Sequence, residues 1–233
     1  MQKNKNSLPN KTHTLIISDF HLGSKVSRSG AVKDLLDNFE FKKLVLLGDI
    51  FESLDFDELS DDDWTLLTLI TDLARKKKVR WVLGNHDKGL TRLFAILTNI
   101  KIYKHYRWTY RGVKYLAIHG HQFDNFLVNN VILSTVVNQV YNFIQLVDYD
   151  DKRVSRFIKR SSKGWLRLSK KVAKRAILYA RLQRVSVVFC GHTHKSMRMR
   201  RGNINYYNSG CWTDTPSTYI TLSGKNVEIH KYY

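Results

Sequence analysis

Asp19 with His21, Asp49, Asn85 with His86 and Asp87, His119 with His121, and His192 with His194 each stand just beyond a short apolar run. They read S-D-F-H, G-D-I-F-E, G-N-H-D, H-G-H and G-H-T-H. Aspartate, asparagine and histidine are the donor set for two divalent ions of intermediate hardness, such as Mn²⁺, Fe²⁺ or Zn²⁺. No thiolate stands among them, which excludes a cysteine-rich structural zinc site. Any one tip alone would pass as turn chemistry, because Asp, Asn and Gly are ordinary turn residues. Five tips in succession, each with a coordinating side chain, go beyond that. His13, His105 and His230 lack such a setting and are read as surface or packing residues.

The elements that must position these groups are legible as alternating apolar runs and helical patterns. Residues 12–18, 43–49 and 79–87 read as strands, each ending in a polar tip, with helices at 30–39, 62–77 and 90–97 between and after them. This strand, helix, strand order argues for α/β crossovers. Ligands in such sheets bind beyond the carboxyl ends of the strands, so the tips should converge. Residues 106–121 alternate like a hairpin centred on Arg111-Gly112; 125–184 reads as mostly helical, and 185–233 returns to strands.

The chain has 233 residues, 43% hydrophobic and 25% charged, which suits one domain over 1–233 with a real core. Cys190 and Cys211 are too few for a disulfide framework, so a reducing compartment is expected. An N-terminal apolar leader is absent from the reading, and no apolar run reaches the 18 residues a membrane span needs. The formal charge of +19 asks for an anionic partner. It is unevenly spread: residues 152–213 hold 17 Lys or Arg and no Asp or Glu, whereas DFDELSDDD at 55–63 is acidic. Lys195 and Arg198, just past the G-H-T-H tip, open a basic surface expected to meet substrate phosphates.

In this order the five blocks resemble the signature of the calcineurin-like metallophosphoesterases, over residues 14–121 and 185–212. The resemblance implies an α/β (α+β), four-layer fold, a two-sheet β-sandwich flanked by helices, with a helical insertion at about 125–184. Carried over, it places Asp19, His21 and His194 on one metal, and Asn85, His119 and His192 on the other. Asp49 would bridge them. Two ions sharing a carboxylate lower the pKa of a water and hold an in-line attack on phosphorus. The resemblance further implies that His86 stabilises the leaving oxygen or acts as general acid, with Asp87 orienting its other ring nitrogen. His121 would support a ligand or face the substrate.

Within the family the chain looks most like the UDP-2,3-diacylglucosamine hydrolases, which cut a nucleotide-diphosphate lipid at the membrane surface with Mn²⁺. It departs from them at His86, where they typically carry Arg, and at His121, where they carry Asp. The implied setting is bacterial and cytoplasmic, peripheral on the inner membrane face. Residues 161–184 fit this as a basic amphipathic helix, with Trp165, Leu168, Val172, Ile177 and Tyr179 at helical spacing and an anionic lipid surface as partner. The apolar stretch 125–147 would bury that helix or line a slot for acyl chains. Alternatives are a helical hairpin packed on itself, a nuclease or phosphomonoesterase using the same charge on nucleic acid or another phosphoester, and a non-catalytic phosphate-binding protein. Oligomeric state is not legible.

Overall fold

The computed structural model describes residues 10–53, 55–87, 89, 91–124 and 163–233. The first sheet sets β1 (Asn10–Ile17), β2 (Phe39–Leu47), β3 (Lys78–Val82) and β4 (Lys101–Tyr103) side by side and parallel. On the other edge of β1 it continues antiparallel through β10 (Ser217–Ser223) and β11 (Asn226–Tyr232). The second sheet runs in the order β5 (Tyr106–Tyr110), β6 (Val113–Ala117), β7 (Val187–Cys190), β9 (Ile204–Asn208), β8 (Met197–Arg201).

Side chains alternate faces along a strand, so a strand buried on both faces must be apolar throughout. In β1 and β2, Leu15, Ile17, Leu44 and Leu46 face outward, where α1 (Ser29–Asp37) and α2 (Asp61–Lys76) cover them with Val32, Leu35, Leu66 and Ile70. Their neighbours Ile16, Val45 and Leu47 face the second sheet and meet Tyr115, Val187 and Phe189. Trp108 stacks there on Tyr115, at 5.2 Å between centroids, and on Phe189 at 5.8 Å. Truncating Phe189 to Ala would cost about 3–5 kcal/mol. The outer face of the second sheet, Leu116, Ile118, Val188 and Cys190, is covered by α4 (Lys163–Leu182) through Ala173, Ala176, Ile177 and Ala180. The result is four layers, helix, sheet, sheet, helix, with α3 (Thr91–Thr98) between β3 and β4 in the chain.

Register brings the strand ends level. Ile17 pairs with Leu46 and Leu47 with Val82 in the first sheet, and Ala117 pairs with Phe189 in the second. The residues that follow therefore emerge at one end of the sandwich. A capping box starts α2: Ser60 Oγ accepts from Asp63 N, and the Asp63 carboxylate accepts from Ser60 N at 3.0 Å. The same carboxylate accepts from Gly23 N at 3.3 Å, which ties α2 to the loop carrying His21.

Three boundaries differ from those expected of the sequence. Phe39 opens β2 rather than closing the first helix, because Phe39 and Phe41 alternate into the core. The polar tips lie beyond the strands, since β3 stops at Val82 and β2 at Leu47. The three-residue β4 is too short to leave a period in the sequence. Of the apolar stripe expected at helical spacing, Val172 and Ile177 are buried, Ile177 against the second sheet, while Trp165, Leu168 and Tyr179 are half-buried. Expectations placed on residues 125–162, the acyl-chain slot at 125–147 among them, lie outside the described residues.

Candidate metal centre

Five of the predicted ligands hold left-handed backbone: Asp19 (φ 56°), His21 (51°), Asp49 (50°), His192 (67°) and His194 (52°). Each such non-glycine residue costs on the order of 1–2 kcal/mol, which persists only where the surroundings over-determine it. Here they do. Asp19 N donates to Gly48 O at 3.0 Å and His21 N to Asp49 O at 3.2 Å, which stitches the first tip to the second, and Gly191 N donates to His119 O at 2.9 Å, which stitches the fifth to the fourth. Glycines allow the close approach: a Cβ on Gly84 would run into the Asp49 carboxylate, and one on Gly191 into that of Asp19.

The side chains fall into two groups. Asp19, His21 and His194 offer ligand atoms close together, and so do Asp49, His119 and His192. In the first, His194 Nε2 lies 3.2 Å from Asp19 Oδ1 and 3.1 Å from His21 Nε2. In the second, His119 Nε2 lies 3.2 Å from Asp49 Oδ2. Asn85 Oδ1 is buried with no hydrogen-bond partner among the described residues, and its neighbour Gly84 presses on Asp49.

The far nitrogens of these rings decide what the near ones can do. A carbonyl only accepts, so His119 Nδ1, 2.8 Å from Leu47 O, carries the proton and leaves Nε2 a lone pair. His21 Nδ1 is 2.6 Å from Glu52 Oε2, and His192 Nε2 is 3.3 Å from Asp124 Oδ2. Neutral rings held in this way aim lone pairs at each other and at buried carboxylates, an arrangement that only a cation or protons can settle. Spacings of 3.1–3.2 Å between donors match the edges of a coordination shell with bonds of about 2.1 Å. The residues fit divalent ions. Without ions, protons fill the role. Burial lowers His119 and His194, but the carboxylates of Asp49 and Asp19 outweigh it and push them up to about 9 and about 10. Burial alone would raise Asp49 and Asp19, yet the imidazoles beside them hold Asp49 well below, and Asp19 below, the ordinary range. His192 is lowered by burial, against the pull of Asp124.

The remaining predicted residues divide. His86 sits beside the first group, its ring 5.1 Å from that of His21 and edge-on. Its Nδ1 donates to Glu52 O at 2.7 Å, and its backbone N to Asp49 Oδ1 at 3.0 Å. His121 lies against the second group, 5.5 Å from His119 and 6.3 Å from His192 between ring centroids. Lys195 follows His194, half-buried. Arg198 is on β8 with its guanidinium 5.5 Å over Tyr207, a contact outside both groups.

Asp87 requires a correction. It does not orient His86; it is a buried anchor that accepts from Asp49 N (2.9 Å), Ile50 N (2.9 Å), Gly84 N (2.8 Å), Trp81 Nε1 (3.2 Å) and, at 3.4 Å, Phe51 N. It thereby clamps the second tip to the third. Burial and the charge of Asp49 raise its pKa, while the backbone donors pull it back. Trp165, half-buried, ties the start of α4 to the last tip, its Nε1 donating to Thr193 O at 3.0 Å, between the two histidines. Glu52 and Asp124 were missed as working residues, although G-D-I-F-E and H-G-H-Q-F-D placed them three and five residues past known tips.

A helix-flanked double sheet with two such donor groups at its strand ends defines a metal-dependent hydrolase site. The chain belongs to the calcineurin-like phosphoesterase family, whose profile matches residues 12–196. It is a metal-dependent phosphoesterase, acting on phosphoester bonds. No curated protein gives a significant match. Among solved structures it is similar to an archaeal phosphodiesterase, at 15% identity over 94% of this chain and 98% of that one, with a TM-score of 0.51. It is also similar to Yfce, a phosphoesterase from E. coli, at 16% identity over 92% and 90%, also with a TM-score of 0.51. At these identities the likeness concerns the fold.

Proposed function

We propose that the chain hydrolyses a phosphodiester or pyrophosphate bond with two divalent ions, Mn²⁺ first. One would be held by Asp19, His21 and His194, the other by Asn85, His119 and His192, with Asp49 between. The observation that carries this is the convergence of left-handed, mutually hydrogen-bonded tips into two donor groups. Bound ions supply a water of lowered pKa and neutralise phosphoryl oxygens. The chain's own residues do the rest. Asp87 holds two tips in register. His86, its Nδ1–H committed to the Glu52 carbonyl, would give a proton to the leaving oxygen from Nε2 only as the imidazolium, with both ring nitrogens protonated. His121 and Lys195 would meet substrate phosphates.

For the substrate we propose an anionic amphiphile of the nucleotide-diphosphate lipid kind, UDP-2,3-diacylglucosamine being the compound to test. It would be reached from an anionic membrane at the cytoplasmic face. Supporting this is the solvent face of α4, where Lys163, Arg167, Lys170, Lys171, Lys174 and Arg181 are exposed together with Leu178 and Leu182. Each cation near an anionic surface adds on the order of 1 kcal/mol. Trp165 joins the first turn of this helix to the loop between His192 and His194. Among the described residues no helix is long and apolar enough to cross a membrane. The same cations would serve a nuclease.

The test is a Mn²⁺-supplemented panel of UDP-2,3-diacylglucosamine, single-stranded DNA, RNA and phosphomonoesters, with co-sedimentation on anionic and neutral vesicles. Fastest turnover of the lipid, and anionic-vesicle binding lost in a K170E/K171E/K174E variant, are expected. Preference for nucleic acid would overturn the substrate half and leave the chemistry standing.

A further inference from the structure

One residue grips two imidazoles of the centre. The Glu52 carboxylate lies 2.6 Å from His21 Nδ1, and its main-chain oxygen accepts from His86 Nδ1 at 2.7 Å. His21 is buried, whereas the Glu52 side chain is 42% exposed. Its backbone is itself pinned, Glu52 N donating to Leu22 O at 2.9 Å, so the whole segment moves with the first tip. We propose that Glu52 is a positioning residue. Its carboxylate keeps the His21 proton on Nδ1 and turns the Nε2 lone pair toward the ion. Its carbonyl holds His86 at a fixed angle to the same ring. This inference rests on the two-ion reading above.

The contrast among the ligand rings supports it. His119 is fixed by a neutral carbonyl inside the sandwich, and mutation cannot remove that bond. His21 is fixed by a charged side chain at the rim, in the charge-assisted geometry that tunes metal ligands. The same atoms offer a second use, since His21, Glu52 and His86 bring ligand atoms close together. In that case Glu52 would bind an ion rather than orient a ring. His21 Nδ1 argues for orientation, because at 2.6 Å from the carboxylate it leaves no room for an ion between them.

The experiment titrates chelator-stripped wild type, Glu52→Leu and Glu52→Gln with Mn²⁺ by calorimetry, with Asp49→Asn as the control for the two-ion reading. Wild type should take up two ions. Glu52→Leu should weaken one of them by roughly 10- to 100-fold and leave the other nearly unchanged. Glu52→Gln keeps an acceptor oxygen without the charge and should fall between, a rescue that general damage to the fold would not produce. Unchanged affinity for both ions in Glu52→Leu overturns the inference while the two-ion reading survives. So does a wild-type stoichiometry of three that falls to two in both variants, which would make Glu52 a ligand. If wild type takes up fewer than two ions, or Asp49→Asn leaves both affinities intact, the two-ion reading fails and this inference with it.

Discussion

Asp87→Asn separates the structure from the sequence reading most sharply. Its Oδ2 accepts from Asp49 N, Gly84 N and Trp81 Nε1, and its Oδ1 from Ile50 N and, more weakly, Phe51 N. An asparagine would place its oxygen on the triple side and its NH₂ toward Ile50 N. That loses one firm charge-assisted bond and sets two donors against each other. At about 1.5–3 kcal/mol for a bond to a charged group, the loss should come to about 3 kcal/mol. For a chain of this size that is a fall in Tm of about 6–12 °C, at 2–4 °C per kcal/mol. The tips that carry Asp49 and Asn85 would loosen as well, so Mn²⁺ affinity should drop with stability. The assay is thermal unfolding with chelator and with excess Mn²⁺, beside hydrolysis of a generic phosphodiester. A variant that melts within a degree or two of wild type and loses only turnover would refute the clamp. It would restore Asp87 as the partner of His86.

Lys43 is 8% exposed, its Nζ 4.9 Å from the Trp108 ring centroid, and burial with the charges of Arg80 and Lys78 lowers it to about 8. Below pH 8 it is charged in both states and its burial opposes folding. Between about 8 and 10.5 the folded state loses the proton first, so stability should rise with pH. Lys43→Met should therefore be more stable by about 1–2 kcal/mol at pH 7, with the gain vanishing by pH 10.5 in paired melts. Trp165→Phe removes one hydrogen bond, worth about 1 kcal/mol, beside Thr193. It should weaken Mn²⁺ binding several-fold with a small change in Tm; unchanged affinity would show that the tie does not reach the histidines. Chelation of wild type should lower its Tm, since ions at 100 times Kd stabilise by about 2.7 kcal/mol per site. Identical melts with and without chelator would contradict that.

The sequence disclosed the candidate ligands because each follows an apolar run, and strands end where polar side chains must find partners. It disclosed less of what holds them. Asp87 looked like a neighbour of His86 because they are adjacent in the chain, but its partners are three main-chain N–H groups 36–38 residues away, Gly84 N and the Trp81 indole. Helical spacing says which residues of 161–184 share a face and not what that face meets, so the bond from Trp165 to Thr193 was not legible. That Arg198 would lie on an edge strand over Tyr207 was not legible either, since it depends on how β8 pairs with β9. Glu52 was visible in G-D-I-F-E, yet its hold on His21 depends on the first two tips lying side by side, a matter of strand register.

The central claim is that two ions, not one, perform the chemistry at these tips. Its most direct measurement follows hydrolysis of a generic phosphodiester as Mn²⁺ is added stepwise to chelator-stripped protein, for wild type and Asp49→Ala. The account predicts that turnover appears only as the second equivalent binds, and that Asp49→Ala stays inactive while remaining folded. Full turnover with one ion bound, or retained turnover in Asp49→Ala, would contradict it.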